Sequence, residues 1–541
     1  MFQIAIVGSG PTAVYTLRAL IDGSSPLDIT VFERTGTAGV GMPYRQGTNG
    51  GALLANIASV ELPPVMESLE AWLRSRSELG VESMGVDIET FDDRTFLPRV
   101  VLGTYFRDQF VRVVELGTAR GHKIKVLTQH NVTDIQTVDD RISVATEIAG
   151  GLKTYESFDR VVIATGHEVA DSAGKSDSYF SSPYPTWLLQ RIEASRVAIL
   201  GTSLSGIDAA VSVAQQHGEF EGEAPALSYK LRPESQGLQL AMMSRNGLLP
   251  EADFYCPIPY EPLDIFTADA IESEVQAGAE GLLDRLFNLF RLQITACDPD
   301  YARTIDLIER TADTYPESYF ASRLGSNPIE CARSNLAATD ADRKSNHTVP
   351  WKYAVLRMHE VFEHAVRHFG RLDRDRFHNG MRKVFIDNYA AIPPESVRRL
   401  IALHDAGVLS LVALGSDYEV RSDEIHRVVA DGRNYTFDVL IEATGEAAGS
   451  IDEMPFPGVK EAFATQLKKR NKRFDPEALP KHGGVYLAAL PYLLFERPFV
   501  QGLVSCHEIG TVIAAEIRND VEASGNQRNV VDIRIDELAI A

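Results

Sequence analysis

Phe2-Gln-Ile-Ala-Ile-Val7-Gly8-Ser9-Gly10-Pro11-Thr12-Ala13 stands at the start of the chain and decides its fold class. The first six residues form a short apolar run, the pattern of a strand buried in a parallel sheet. A glycine turn follows, and residues 14–21 then carry apolar side chains at helical spacing. A second apolar run, Leu27–Phe32, ends at Glu33. Strand, glycine turn, helix, strand and terminal acid, in that order, are the setting of a dinucleotide-binding unit. Gly8 permits the tight turn, Gly10 lets the backbone approach a pyrophosphate, and Ala13 lets the helix pack close to the strand. The helix start offers free N–H groups and a partial positive charge to phosphates, with Ser9, Pro11 and Thr12 on the same turn. Glu33, with Arg34 beside it, lies 23 residues beyond Gly10, where a carboxylate meets ribose hydroxyls.

Outward from this unit, strand-like alternation returns at 123–127, 132–136 and 142–146, and the stretch closes on Val-Val-Ile-Ala164-Thr165-Gly166. Small residues there let a nucleotide pass close to the backbone, although a lone Ala-Thr-Gly is as readily a plain strand exit. The order then repeats. Arg196–Leu200 is a second buried-strand run, followed by Gly201-Thr-Ser203-Leu-Ser-Gly206, a helix at 207–216 and a strand at 238–243 that ends in Ser244-Arg245. Strands at 409–414 and 425–429 lead to Ala443-Thr444-Gly445. Two copies in one order predict two nucleotide sites, with Ser203 turning a side chain toward the second pyrophosphate.

Between the copies, 271–294 and 351–369 show helical spacing. The expected organisation is an α/β protein with two Rossmann-like units. Residues 1–170 and 451–541 form the first, 171–252 and 395–450 the second, and 253–394 a mainly helical insertion in the second. At the C-terminus the pattern predicts a strand over 485–490 and a helix after Ser505-Cys506-His507 folding back onto the first unit. A loosely held polar tail follows from Asn519.

A chain of 541 residues has room for three or four structural units. Its 44% hydrophobic and 24% charged residues are those of a globular protein, which excludes disordered and fibrous classes. The net charge of −22 repels phosphate backbones and acidic lipid surfaces, so neither nucleic acid nor a membrane is an expected partner. The four cysteines are scattered and contain no C-x-x-C pair, which speaks against a zinc ribbon or redox dithiol and for a reducing compartment. The longest apolar run, 483–495, is too short to span a bilayer and contains Pro491. With a strand starting at Phe2, a cytoplasmic location is expected.

These motifs, together with Gly39-Val-Gly41-Met-Pro-Tyr44, Leu53-Leu-Ala-Asn56, Phe96-Leu-Pro-Arg99 and Ser244-Arg245-Asn-Gly247-Leu-Leu-Pro250, resemble the FAD/NAD(P)-binding flavoproteins with two dinucleotide-binding domains. The resemblance covers most of the chain and extends to relatives of the class B flavin monooxygenases. It implies a glutathione-reductase-like arrangement with FAD on the first domain and NADPH on the second. It places Glu33 on the FAD ribose, Gly41, Tyr44 and Asn56 along the flavin, and Arg245 on the 2′-phosphate of NADPH. The activity implied is an FAD-dependent monooxygenase acting with O2 on a small polar metabolite such as an amine or amino acid, through a flavin C4a-oxygen adduct. The alternatives are an NAD(P)H:acceptor flavin reductase and a redox sensor without turnover. The Baeyer–Villiger fingerprint (F-x-G followed three residues on by His) is absent between Gly166 and Gly201, and so is a reductase dithiol; both absences point toward a hydroxylase or a plain flavin reductase, and no catalytic side chain is assigned.

Weaker signals have plainer readings. His364 and His368 stand at metal-ligand spacing on a helix, yet such pairs are usually solvated and no metal is expected. Cys506-His507 near a helix start reads as packing in preference to an activated thiol. Trp351, Lys352, Arg357, Arg382 and Tyr389 in the insertion are candidates for substrate recognition.

Overall fold

Ile4, Ala5 and Ile6 are completely buried, as a strand covered on both faces requires. The structure is a computed structural model. It describes residues 1–537 except 48–49, 149, 167–177, 423–424, 446–452, 470–480, 494–498 and 500–501. The chain lays down β1 (Phe2–Val7), β2 (Leu27–Phe32), β3 (Lys123–Leu127) and β4 (Arg160–Ile163) in one sheet. A second sheet takes β5 (Tyr179–Phe180), β6 (Arg196–Leu200), β7 (Gln239–Ser244), β8 (Leu409–Ala413) and β9 (Val439–Glu442). The chain then returns to the first sheet with β10 (Lys481–His482) and β11 (Val485–Leu487).

The first sheet has the order β10-β11-β4-β1-β2-β3 and is parallel except at its β10 edge. The second has the order β5-β9-β6-β7-β8 and is parallel throughout. In each, a three-stranded antiparallel meander separates the third strand from the strand leading to Ala-Thr-Gly: 130–158 in one copy and 418–437 in the other. The internal repeat read from the glycine turns therefore extends to strand order.

Helix α1 (Pro11–Leu20) covers the first sheet and is itself crossed by the final helix, α2 (Gly502–Glu537). Val14 and Leu17 share one core with Ile509, Ile513 and Ile517. Side chains of this size stabilise by roughly 1.5–3 kcal/mol each when fully buried. A Cβ at Gly510 would lie 2.7 Å from the Thr16 nitrogen, so the crossing needs a glycine there. The expected fold-back is observed, with two corrections. The helix begins at Gly502, ahead of Ser505, and it runs through the expected polar tail as far as Glu537. The strand expected over 485–490 covers Val485–Leu487 and gives way to a turn at Leu490–Tyr492, where Pro491 supplies no N–H.

The helical unit enters between β7 and β8. Its centre is aromatic: Phe362 stacks on Phe377 at 5.2 Å, and Phe499, from the segment before α2, inserts against Phe377, Phe385 and Tyr389. The helical spacing at 271–294 resolves into two helices, Ala268–Gln276 and Leu282–Cys297, parted by Gly278 and Gly281, both at positive φ. Helix Pro328–Ser345 lies within 253–394 in sequence, yet its Ile329, Ala332 and Leu336 join the core of the second sheet. No described helix is long and apolar enough to cross a membrane.

Candidate functional site

The two glycine turns are built alike. Gly8 N–H donates to Phe32 O and Ala164 N–H to Val7 O; Gly201 N–H donates to Met243 O and Ala443 N–H to Leu200 O, all between 2.7 and 2.9 Å. Gly8 has φ +98° and Gly201 φ +130°, and a Cβ would lie 2.3 Å from Ala164 O in the first case and 2.1 Å from Ala443 O in the second. Each Ala-Thr-Gly thus packs on its own glycine turn, which no isolated strand exit requires. A Cβ on Gly206 would likewise press on Gly201 O at 2.3 Å, so the helix sits tightly under the turn.

The middle positions differ for a reason. Gly10 and Ser203 are the N-caps of their helices, Pro11–Leu20 and Leu204–His217, and both have negative φ. Glycine is not demanded there by the backbone angle. Gly10 packs closely on Gly41, whose Cα would lie 3.3 Å from an added Cβ, whereas Ser203 is exposed and borders a cleft. Neither helix start carries a side-chain cap or an acid in its first turn. Their N–H groups therefore point at whatever anion the turn holds. Thr165 adds a buried hydroxyl that has no partner among the described residues at the exit of β4, with Gly166 next to it. Open helix starts, close backbone packing and an orphaned hydroxyl fit a dinucleotide.

Glu33 is 7% exposed and already engaged: Ser9 Oγ donates to it at 2.5 Å, Thr35 N and Oγ1 at 2.8 and 2.6 Å, and Arg45 stands 3.6 Å away. A carboxylate has about four acceptor positions, so one remains for a ribose hydroxyl. Ser9 Oγ also accepts from Gly39 N, tying the turn to the 39–44 loop. Arg34 is exposed, and Thr12 contacts Cys506.

A cleft of about 2360 Å³ lies between the sheets, the helical unit and the start of α2. Tyr44, Asn56, Gly201, Ser203 and Arg245 share its wall, while Gly8–Ala13, Glu33, Arg34, Gly41, Thr165, Gly166 and Gly206 lie outside it. Arg245 is exposed and, among the described residues, has no ion-pair partner. Of the five insertion candidates, Arg382 and Tyr389 line the cleft. Trp351 instead stacks on Tyr301 at 4.1 Å, Lys352 binds Glu251 at 2.5 Å, and Arg357 pairs with Glu360. No group of three or more potential metal ligands occurs among the described residues. Burial pushes the Cys506 thiol up to about 11, so this cysteine packs and is not activated.

Three features had no assigned role in the sequence. Arg99 forms a 2.6 Å ion pair with Asp208 on helix Leu204–His217; Tyr184 donates to the same carboxylate, and Arg99 Nε donates to Leu54 O. This cluster joins the two sheets beside the cleft. Asp253 lines the cleft with Glu61, and burial, then Glu61, push its carboxyl up to about 7 against the pull of Arg343 at 3.2 Å. His359 stacks on Tyr389 at 5.0 Å, and burial draws its imidazole down to about 4. Unfolded, that ring titrates near 6.5. Between pH 6.5 and 4 the unfolded chain binds more protons, so acidification through that window removes stability, up to about 3 kcal/mol. His359→Asn is expected to flatten this part of the stability-against-pH profile. An unchanged slope in urea titrations would assign it to other groups.

Comparison with known proteins fits this geometry. Residues 5–168 match the family of FAD-NAD(P)-binding domains, so the chain is a flavoprotein that takes FAD and NAD(P). It belongs to the family of the Escherichia coli K12 uncharacterized protein YdhS, with 42% identity over 529 residues, 96% of this chain and 97% of that one. Residues 267–389 match the YdhS-like middle domain. Among solved structures, the ornithine hydroxylase PvdA of Pseudomonas aeruginosa in its reduced form aligns over 96% of this chain and 100% of its own, at 12% identity and TM-score 0.50. The ornithine N-hydroxylase KtzI of Kutzneria sp. 744 aligns over 96% and 99%, at 14% identity and TM-score 0.49. At these identities the likeness is one of fold.

Proposed function

We propose that the protein is an FAD-dependent, NADPH-using monooxygenase that hydroxylates a small polar metabolite with O2. The carrying observation is that Tyr44, Asn56, Gly201 and Ser203 line one cleft whose wall is completed by residues of the helical unit. In this reading the two sheets form a glutathione-reductase-like pair. Gly8–Ala13, Glu33, Thr165 and Gly166, with the 39–44 loop, would hold FAD. Gly201, Ser203 and Gly206 would hold NADPH. Bound flavin supplies hydride acceptance from NADPH and the activation of O2. The chain's own residues hold both nucleotides by open helix starts, close the cleft with the helical unit and the start of α2, and exclude water from the reacting centre. Asp253, with its carboxyl near neutrality, is placed to hold or release a proton on the cleft wall. The fold shared with a hydroxylase named for ornithine supports an amine or amino-acid substrate class.

Anaerobic NADPH should bleach the flavin. In air, NADPH oxidation should quicken with one member of an amine and amino-acid panel and yield a product heavier by one oxygen. Bleaching with no oxygenated product, and fast turnover of a quinone or dye instead, would make it a reductase. No bleaching at all would make it a nucleotide-binding sensor.

Arg245 follows β7, where NAD-selective domains usually carry an acid. Its unpaired guanidinium is free to form a charge-assisted pair with a 2′-phosphate. Arg245→Ala is expected to raise the KM for NADPH by roughly ten- to a hundredfold and leave that for NADH nearly unchanged. Equal changes for both coenzymes would make Arg245 a structural residue.

A further inference from the structure

Arg382 lies in the first turn of helix Met381–Tyr389 and borders the cleft. The chain has 75 acidic residues against 53 lysines and arginines, so an arginine finds an acid easily. Its neighbours in the helical unit do: Arg285 pairs with Glu274, Arg323 with Asp387, Arg357 with Glu360 and Arg376 with Asp284. Arg382 does not. Among the described residues no carboxylate lies within ion-pair distance of its guanidinium, and its Nε is shut off from solvent with no acceptor. A guanidinium cannot shed its proton, and a buried donor left unpaired is costly. The acids nearby are committed: Asp313 to Arg376, Glu360 to Arg357, and Asp387 to Arg323 and Tyr319. Glu317 is exposed and makes no pair with Arg382.

The position along the helix matters as much as the missing partner. Arg382, Ile386 and Tyr389 fall on one helical face, and all three border the cleft. Seven residues of helix rise about 10 Å. Beyond Tyr389, Ile392 O accepts the Asp253 N–H, and Asp253 is coupled electrostatically to Glu61, just past the Leu54–Ala58 strand that carries Asn56. The Tyr389 end of the face is therefore the end near the strand that carries Asn56. Arg382 stands about two turns further out.

We propose that Arg382 anchors an anionic group of the substrate, a carboxylate, while the group to be oxidised extends past Tyr389 toward Asn56. The proposal rests on the oxidoreductase reading for the substrate's identity, and it defines the substrate class more closely: a polar metabolite with a carboxylate distal to its reactive end. It separates Arg382 from Arg245, which serves the coenzyme.

The test uses FAD-loaded enzyme, a short series of straight-chain ω-amino carboxylates and the matching ω-amino amides, read by calorimetry and by NADPH oxidation in air. Wild type should bind at least one carboxylate tenfold or more tighter than its amide. Arg382→Ala should weaken that carboxylate by roughly ten- to a hundredfold and erase the preference, and Arg382→Lys should restore part of it. The Kd for NADPH should stay constant in both variants. Equal binding of carboxylates and amides, or no binding of any carboxylate, would overturn the proposal. So would a higher NADPH Kd in Arg382→Ala, which would assign the residue to the phosphates of the coenzyme. If anaerobic NADPH fails to bleach the flavin, the oxidoreductase reading falls. The calorimetric preference for carboxylates still decides the role of Arg382.

Discussion

Gly201→Ala is expected to yield a yellow protein whose flavin NADPH no longer bleaches. The added methyl would sit 2.1 Å from Ala443 O, a backbone atom in the neighbouring strand, and φ of +130° is a conformation that L side chains rarely adopt. The strain alone costs on the order of 1–3 kcal/mol. Relief requires the second glycine turn to move off the start of helix Leu204–His217. That displaces the open N–H groups on which the proposed NADPH site depends, while the first sheet keeps its own core. Gly8→Ala carries the same clash, 2.3 Å from Ala164 O at φ +98°, on the other sheet. It should instead give protein depleted of FAD. Absorbance after gel filtration and anaerobic addition of NADPH separate the outcomes, with far-ultraviolet circular dichroism reporting folding. A folded, colourless Gly201→Ala together with an FAD-replete Gly8→Ala would reverse the assignment of nucleotides to sheets.

The features these variants probe were legible because they are local. A glycine turn, the strand before it and the helix after it occupy about twenty consecutive residues, and a continuous apolar run gives way to a period of 3.6 at the turn. The repeat of Ala-Thr-Gly was legible for the same reason, and the close approach of its backbone is what requires glycine at Gly8 and Gly201. What the sequence did not reveal depends on distant partners. Helix Pro328–Ser345 looks like part of the insertion, but Ile329, Ala332 and Leu336 find their burial on the second sheet. The end of α2 is polar, and polarity alone does not separate a projecting helix from a tail. Arg382 and Lys352 look alike as isolated cations on helices. Only the fold shows that Glu251 pairs with Lys352 and that no described acid pairs with Arg382.

Arg99 belongs to this second group, and the asymmetry of its pair with Asp208 gives the last prediction. Both residues are nearly fully buried, at 9% and 6% exposure. Removing one member of such a pair leaves the other charge stranded, which typically costs 3–5 kcal/mol. The two losses should differ here. In Asp208→Ala the guanidinium remains charged, because arginine holds its proton under all ordinary conditions, and among the described residues it keeps Leu54 O and Tyr184 as hydrogen-bond partners. The full cost is expected. In Arg99→Met the stranded group is a carboxyl whose pKa burial raises even with the guanidinium present. Without it, the carboxyl escapes by taking a proton, and Tyr184 still donates to it. A loss of about 1–3 kcal/mol is expected at neutral pH. With the folded pKa above the unfolded one, Arg99→Met should be most stable below the ordinary aspartate range and lose stability as pH rises through the folded value. Asp208→Ala should show no such dependence from this site. Urea denaturation of both variants and the double variant across pH measures the difference, and equal losses with parallel pH profiles would refute the asymmetry. The consequence reaches the site: Arg99 binds the strand that carries Asn56, and Asp208 lies on the helix that starts at Ser203. This pair ties the two sides of the cleft together, so under the proposed function Arg99→Met, though folded, should slow flavin reduction by NADPH more than it weakens NADPH binding.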